Sequence, residues 1–416
     1  MKNIIVAQSG GPTVAINSSL LGLYEKAKQL GVKKVYGARF GLAGFLEGKI
    51  VDLDEVFSEV DANLLLQTPS SFLGSCRKKI PGFDGTDEAN LVYSTILKIL
   101  KELDVGSFFY IGGNDSMDTV AKLSAYFKMA DENIKVIGVP KTIDNDLYGT
   151  DHCPGFGSAA KFVATSFLEI ERDCAAYCLP AVTIVEVMGR DAGWLTAASA
   201  LARLNGATGP DLIYCCEQQF SLEKFLIDLK QNVASSLNGN VLVAVSEGLK
   251  VENYAANDQC VWFDEFCHKK KAGIAKILEK FVVEQIGCKV RSIELNLLQR
   301  CSAHLASVVD LNEAKQVGSF AVELASKGLN GVMVSIIRLG NYPYDVKFSY
   351  VEVEGVANKV KKMPPEMFKG DVDVSEQAID YLKPLIQGEL KLKTKNSIPI
   401  HLKLQKNFVY VGLNFK

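Results

Sequence analysis

Two carboxylates two residues apart, beside a lysine and directly after an apolar run, form the strongest chemical signal in the chain. They lie in Pro140-Lys141-Thr142-Ile143-Asp144-Asn145-Asp146. One carboxylate can accept the proton of an attacking hydroxyl, and the other can hold Mg²⁺. The lysine can neutralise charge on a leaving phosphate, so the group suits phosphoryl transfer. The plain alternative is a turn whose Asp and Asn side chains only satisfy backbone groups.

Two glycine pairs stand in similar settings. Ser9-Gly10-Gly11-Pro12-Thr13 follows Asn3-Ile4-Ile5-Val6-Ala7-Gln8, and Gly112-Gly113-Asn114-Asp115-Ser116 follows Ser107-Phe108-Phe109-Tyr110-Ile111. Glycines at a strand-to-helix junction let the backbone approach an anion, and the helix start offers unpaired N–H groups. A nucleotide P-loop is excluded because G-x-x-x-x-G-K-[ST] is absent. One such turn alone is weak evidence, and Asn114 could simply cap its helix. Two in one sheet imply loops converging on one crevice, where open α/β sheets bind ligands.

Those loops need parallel strands to carry them. Short apolar runs alternate with amphipathic stretches: a helix from about Thr13 to Leu30, one through Met117, Val120 and Leu123, and a strand Ile134–Val139 stopped by Pro140. The alternation resumes with strand 182–187, a helix near Trp194–Leu204, strands 212–214 and 241–245, a helix near Ala272–Gln285 and strand Val290–Leu295. Such runs indicate strands buried on both faces. The fold class expected is α/β, with two Rossmann-like three-layer α/β/α domains and mainly parallel sheets. The 416 residues exceed what one core usually spans. One domain is placed at 1–155 plus about 298–350, and the other at 156–297 plus about 351–416. The polar stretch from about 250 to 270 is expected to form a lid.

Composition narrows the partners. Lys+Arg number 46 against 48 Asp+Glu, for a formal charge of −2. No broad positive field exists for nucleic acid or an anionic membrane. No apolar run reaches the roughly 20 residues of a membrane helix, and the N-terminal apolar run is too short for a signal peptide. The ten cysteines include no Cys-x-x-Cys pair. Free thiols in a reducing, cytoplasmic setting are expected.

The chain resembles the phosphofructokinase family. The resemblance rests on Gly10-Gly11, the Gly112-Gly113 loop, Thr142-Ile143-Asp144-Asn145-Asp146, Glu186-Val187-Met188-Gly189-Arg190, Ser246-Glu247-Gly248 and Gln299-Arg300, in the family's order over roughly residues 1–340. It implies Mg²⁺-dependent phosphorylation of O1 of fructose 6-phosphate by a homo-oligomer, a dimer or tetramer, with the active site in the cleft between a donor-binding first domain and a sugar-phosphate-binding second one. It further implies that Asp144 is the general base, that Asp146 positions substrate and that Thr142 binds the transferring group. Met188, Gly189, Arg190 and Glu247 match sugar-phosphate contacts. Arg291 and Arg300 match arginines for the 6-phosphate, with Arg291 reaching across a subunit interface. Arg77 matches a residue bridging donor and acceptor phosphates. Gly10, Gly11, Asp115, Ser116 and Lys141 fall in the donor site, with Asn114 and Asp115 at the metal.

Asp115 and Lys141 also speak to the donor. Relatives that use ATP have glycine at both positions, whereas those that use pyrophosphate carry Asp and Lys. A carboxylate about 4 Å from an α-phosphate oxygen repels it by about 4 kcal/mol at an effective dielectric of about 20. Pyrophosphate ends one phosphate earlier, so the same pair excludes one donor and receives the other. Pyrophosphate is therefore the expected donor. An ATP-dependent enzyme or a catalytically silent sugar-phosphate-binding subunit are the alternatives. A dehydrogenase is not supported, because no G-x-G-x-x-G follows a strand.

The chain departs from the family at several positions. Asn114 stands where an aspartate is usual, Leu297 where His or Tyr is common, Cys301 replaces a glycine, and Ala181 replaces an intersubunit arginine. These changes leave open another acceptor, such as sedoheptulose 7-phosphate.

Overall fold

Eight strands form the larger of two main sheets. The computed structural model describes residues 2–251 and 273–404, with the backbone of 262–263, 269–270 and 409–410. Strands β1 (Asn3–Gln8), β2 (Val35–Ala38), β3 (Lys49–Asp52), β4 (Val105–Gly112) and β5 (Lys135–Pro140) belong to this sheet. A second, four-stranded sheet contains β6 (Ala181–Val187), β7 (Leu212–Tyr214) and β8 (Asn240–Ser246). The two-residue strands β9 (Trp262–Phe263) and β10 (Lys269–Lys270) pair with each other. Strand β11 (Lys289–Glu294) completes the small sheet in the order β11-β6-β8-β7, all parallel.

The larger sheet is completed by β12 (Val332–Asn341) and β13 (Tyr344–Glu352), an antiparallel hairpin at one edge. Its order is β13-β12-β5-β4-β1-β2-β3, with one further two-residue strand, Val409–Tyr410, paired antiparallel to β3. The run β12-β5-β4-β1-β2 is parallel. Its central strands are rich in Ile, Val and Phe, and β1, β4 and β5 are buried along nearly their whole length. Continuous apolar runs of this kind require helices on both faces.

The helices are α1 (Ile16–Gln29), α2 (Gly41–Leu46), α3 (Leu53–Glu59), α4 (Asp87–Glu102), α5 (Asn114–Met129), α6 (Phe156–Ala175), α7 (Trp194–Ala198), α8 (Leu222–Ser235), α9 (Ile274–Ile286), α10 (Leu298–Cys301), α11 (Val308–Ser326) and α12 (Glu376–Leu382). Several expected spans need trimming. The helix expected from Thr13 starts at Ile16, because the Thr13 hydroxyl accepts from the Ile16 N–H at 3.0 Å and stays outside. The helix expected over 194–204 is α7 followed by a 3₁₀ stretch, Ser199–Asn205. Most of the expected lid, 250–270, falls outside the described residues.

The C-terminal residues divide between the two halves. Met363, Met367, Val374, Tyr381 and Leu385 pack with Phe156, Trp194 and Ala244 of the smaller half. Farther on, the Gln67 amide donates to Lys393 O and Ile400 O, and Leu402 packs with the larger sheet's core. Residues of the described stretch 391–404 therefore pack against the larger half. Among the described residues no helix is long and apolar enough to cross a membrane.

Candidate active site

Strand register determines where the chemistry collects. Gln8 of β1 stands opposite Ile111 of β4, and Gly112 of β4 opposite Pro140 of β5. Parallel strands ending together deliver residues 9–13, 113–116 and 141–146 to one edge of the larger sheet. In the smaller sheet Val187 stands opposite Ser246. Residues 188–190 and 247–248 consequently emerge side by side. The two edges face each other across a cleft of about 420 Å³. Of the residues singled out from sequence, Gly10, Gly11, Arg77, Asn114, Asp115, Ser116, Lys141, Thr142, Asp144, Asp146, Met188, Arg190, Glu247 and Arg300 line it. Gly189 (φ +126°) forms the turn between two lining residues. Arg291 lies apart, on β11 beside Glu169, Asp173 and Thr183.

The glycine loop after β1 is braced from two sides. The Gly10 N–H donates to Cys76 O at 3.0 Å, and the Ser75 hydroxyl donates to Gly10 O at 2.6 Å. Gly10 has φ +73°, and a Cβ there would sit 3.3 Å from Lys141 Nζ. A side chain would meet both strain and the buried ammonium. Lys141 itself is 2% exposed and donates to Gly11 O at 2.6 Å. Burial draws this ammonium down to about 8, with Arg300 and Arg77 adding to the fall and Asp144 and Asp146 opposing it. Asp115 lies in the first turn of α5, where the helix start favours an acid. Its carboxylate pairs with Lys79 at 2.9 Å.

Asn114 is the first residue of α5, whose N-cap is Gly113 with no side-chain cap. Capping by Asn114 is thus not what the structure shows. Its Nδ2 donates to Lys359 O at 2.6 Å, and its Oδ1 accepts from the Asn358 N–H at 2.9 Å.

Between the two carboxylates, Asn145 carries the turn. It is fully buried with φ +57°, a left-handed backbone that Asn tolerates better than most residues. Its Oδ1 accepts from the Cys153 N–H at 3.0 Å, and its Nδ2 donates to the Tyr381 hydroxyl at 3.0 Å. The Thr142 hydroxyl accepts from the Asp144 N–H at 3.1 Å. So held, both carboxylates are crowded. Burial pushes the Asp144 carboxyl well up, with Asp146 and Glu247 adding to it and Arg190 and Lys141 opposing. Asp146 is raised too, by burial, against a hydrogen bond from Thr142 and the charge of Lys361.

The opposite wall is built from contacts between loops. The Ser246 hydroxyl donates to Gly189 O at 2.6 Å, and the Met188 N–H donates to Gln299 Oε1 at 3.0 Å. A Cβ on Gly248 would lie 1.9 Å from Arg190 O, so the two loops touch backbone to backbone. Arg190 Nε stands 3.9 Å from Glu247 Oε1. Arg300, on α10, reaches across far enough that a Cβ on Gly11 would sit 3.0 Å from its Nη1.

Sequence reasoning did not pick out Lys78, Lys79, Asp191, Asn358 and Val360, which also line the cleft. It also did not single out Asn145 or Lys361 beneath the aspartate turn. Lys78 and Lys79 were within reach, since they continue the basic run from Arg77. Asn145 was legible as an Asn between two turn acids. Lys361 had no local signal: its Nζ donates to Asn145 Oδ1 across 216 residues.

With this geometry in view, the likeness to known proteins is specific. The chain matches the family described as Phosphofructokinase over residues 3–325. It is 39% identical over 394 residues to the pyrophosphate–fructose 6-phosphate 1-phosphotransferase of Xanthomonas campestris pv. campestris, covering 94% of this chain and 93% of that one. It is 36% identical over 393 residues to the protein of that name from Methylococcus capsulatus, covering 93% and 92%. The crystal structure of a pyrophosphate-dependent phosphofructokinase from Marinobacter aquaeolei superposes with a TM-score of 0.86 at 36% identity, covering 98% of this chain and 97% of that chain. A family match spanning most of the chain, relatives near full length and the same architecture lead to one conclusion: this chain belongs to the phosphofructokinase family.

Proposed function

We infer that the chain transfers a phosphoryl group reversibly from pyrophosphate to O1 of fructose 6-phosphate, giving fructose 1,6-bisphosphate and phosphate. The observation that carries this reading is the meeting of Lys141, Asp115 and Asp144 in one cleft. In the forward step the Asp144 carboxylate takes the proton from the sugar O1–H. The O1–P bond forms as the bridging P–O bond of pyrophosphate breaks, and phosphate leaves. Lys141, with Arg77 beside it, neutralises the departing phosphate. Thr142 holds the transferring group. Gly10, Gly11 and Ser116 receive the donor where the strand ends open onto α5. Met188, Gly189, Arg190, Glu247 and Arg300 hold the sugar phosphate. Arg291 has no access to its own chain's cleft, so its part requires a second copy in a homodimer or homotetramer.

Mg²⁺ fits the residues present. Asp144 and Asp146 share a buried turn, and their carboxyls are both pushed up, chiefly by burial. Among the described residues no group of three or more His, Cys, Asp or Glu forms a full metal cage. Mg²⁺ ordinarily takes one or two carboxylates and completes its shell with water and substrate phosphates. Asp146 and Asp115 would hold it, and it would neutralise charge on the phosphates. Asn114, whose amide is engaged with residues 358 and 359, is left out of that set.

The purified chain supplied with Mg²⁺ and fructose 6-phosphate is expected to react at least about 100-fold faster with pyrophosphate than with ATP. Comparable initial rates with the two donors would overturn the donor assignment. Sedoheptulose 7-phosphate in the same assay tests the acceptor.

The pH dependence has a definite sign. Proton abstraction needs Asp144 ionised, and its carboxyl is raised, so kcat/KM climbs with pH well beyond the ordinary carboxylate range. Leaving-group neutralisation needs Lys141 charged, and its ammonium is lowered to about 8, so the basic limb falls there. The expected profile is a narrow bell. A flat kcat/KM from about pH 6 to about pH 9 rules out these roles.

A further inference from the structure

Residues 357–363 run across the cleft as a strap, tied down at one end on the donor loop and at the other on the aspartate turn. At the first end the Asn114 amide makes a two-point grip on backbone: Nδ2 to Lys359 O at 2.6 Å, and Oδ1 from the Asn358 N–H at 2.9 Å. The Asn358 side chain adds a bond to Asp118 Oδ1 at 3.3 Å, on the next turn of α5. Val360 then pairs with Leu147 in an isolated antiparallel bridge.

At the second end the Lys361 N–H donates to Asp146 O at 2.8 Å. Its ammonium passes beneath the turn and donates to Asp151 O at 2.5 Å, Thr150 O at 3.2 Å and Asn145 Oδ1 at 3.3 Å. Its own carbonyl accepts from Trp194 Nε1 at 3.1 Å. Asn358, at the first pin, and Val360, between the pins, line the cleft.

We propose that Asn114 and Lys361 are positioning residues that hold the donor loop and the aspartate turn at a set separation through this strap. The proposal rests on the phosphotransferase reading above. The chemistry of Asn114 supports it, because an amide, unlike a carboxylate, both donates to a carbonyl and accepts from an N–H. A carboxylate there could not donate to Lys359 O. An aspartate would still suit the first turn of α5 electrostatically, so the helix tolerates the change. The strap, not the helix, needs the amide. A small shift between donor and base is costly, since a misplacement of about 1 Å can lower the rate about 100-fold.

Amide hydrogen exchange and steady-state kinetics on the full chain test this, with Asn114→Ala, Asn114→Asp, Lys361→Met and the double variant Asn114→Ala/Lys361→Met. Asn114→Ala is expected to speed exchange at Asn358 and, through the strap, at Lys361, whose partner is Asp146. It should lower kcat about tenfold or more with KM for fructose 6-phosphate little changed. The double variant should be no slower than the worse single variant, because both cut one tie. Faster exchange confined to 358–359, or kcat losses that multiply, would refute the coupling. So would a rise in kcat with Asn114→Asp, which would make the position a metal ligand. An unmodified chain inactive with pyrophosphate would refute the functional reading instead, and the exchange result would still decide the coupling.

Discussion

Asp144→Asn lowers kcat with pyrophosphate and fructose 6-phosphate by on the order of 10³- to 10⁴-fold, the upper range for loss of a general base. A 10⁴-fold loss corresponds to about 5.5 kcal/mol of barrier. The isostere keeps the turn, because the Asp144 contact that shapes it is a backbone N–H donated to the Thr142 hydroxyl. Stability moves the other way. The folded chain raises the Asp144 carboxyl, chiefly through burial, with Asp146 and Glu247 adding repulsion. A carboxyl that binds its proton more tightly when folded costs stability as pH rises from its unfolded value through its folded one. Asp144→Asn removes that cost, so its Tm at neutral pH should equal or exceed that of the unmodified chain. Retained turnover at neutral pH in a well-folded variant would remove Asp144 from the base role.

Asp115→Gly combined with Lys141→Gly should lower kcat/KM for pyrophosphate about 10³-fold while narrowing the gap to ATP. The structure apportions the effect unequally. Asp115 is paired with Lys79 at 2.9 Å, which cancels part of its repulsion toward a nucleotide α-phosphate. The figure of about 4 kcal/mol for a bare carboxylate is therefore a ceiling. Lys141 is buried and aimed at the donor loop, where its charge acts with little screening. Most of the loss should follow Lys141. Lys141→Met, which keeps the stem volume and removes the charge, separates electrostatics from the cavity that glycine would leave. Undiminished activity with pyrophosphate in the double glycine variant would end the donor argument.

Much of the site was legible because parallel strands transmit sequence position into space. Once β1, β4 and β5 are read as neighbouring buried runs, the residues just past Gln8, Gly112 and Pro140 must share an edge, whatever the loops do in detail. Composition and periodicity suffice for that step. Asn114 was not legible in this way. Its residue type suits a cap, a metal ligand or a backbone clamp equally, and the choice depends on a segment 244 residues away. Lys361 and the packing of residues 391–404 against the larger half were hidden by the same cause. Those residues are irregular, with no period to read, and their burial is decided by partners far off in the chain.

The chain's residue order by itself determined the α/β class, the converging glycine loops, the Lys141–Asp146 motif and the family resemblance, since each is local or repeats with strand and helix periods. Only the tertiary structure decided that Lys79 tempers Asp115, that Asn145 and Lys361 brace the acids from below, and that Arg291 stands outside its own cleft. Those outcomes depend on which surfaces meet, and long-range packing, unlike local propensity, leaves no trace in a short window of sequence.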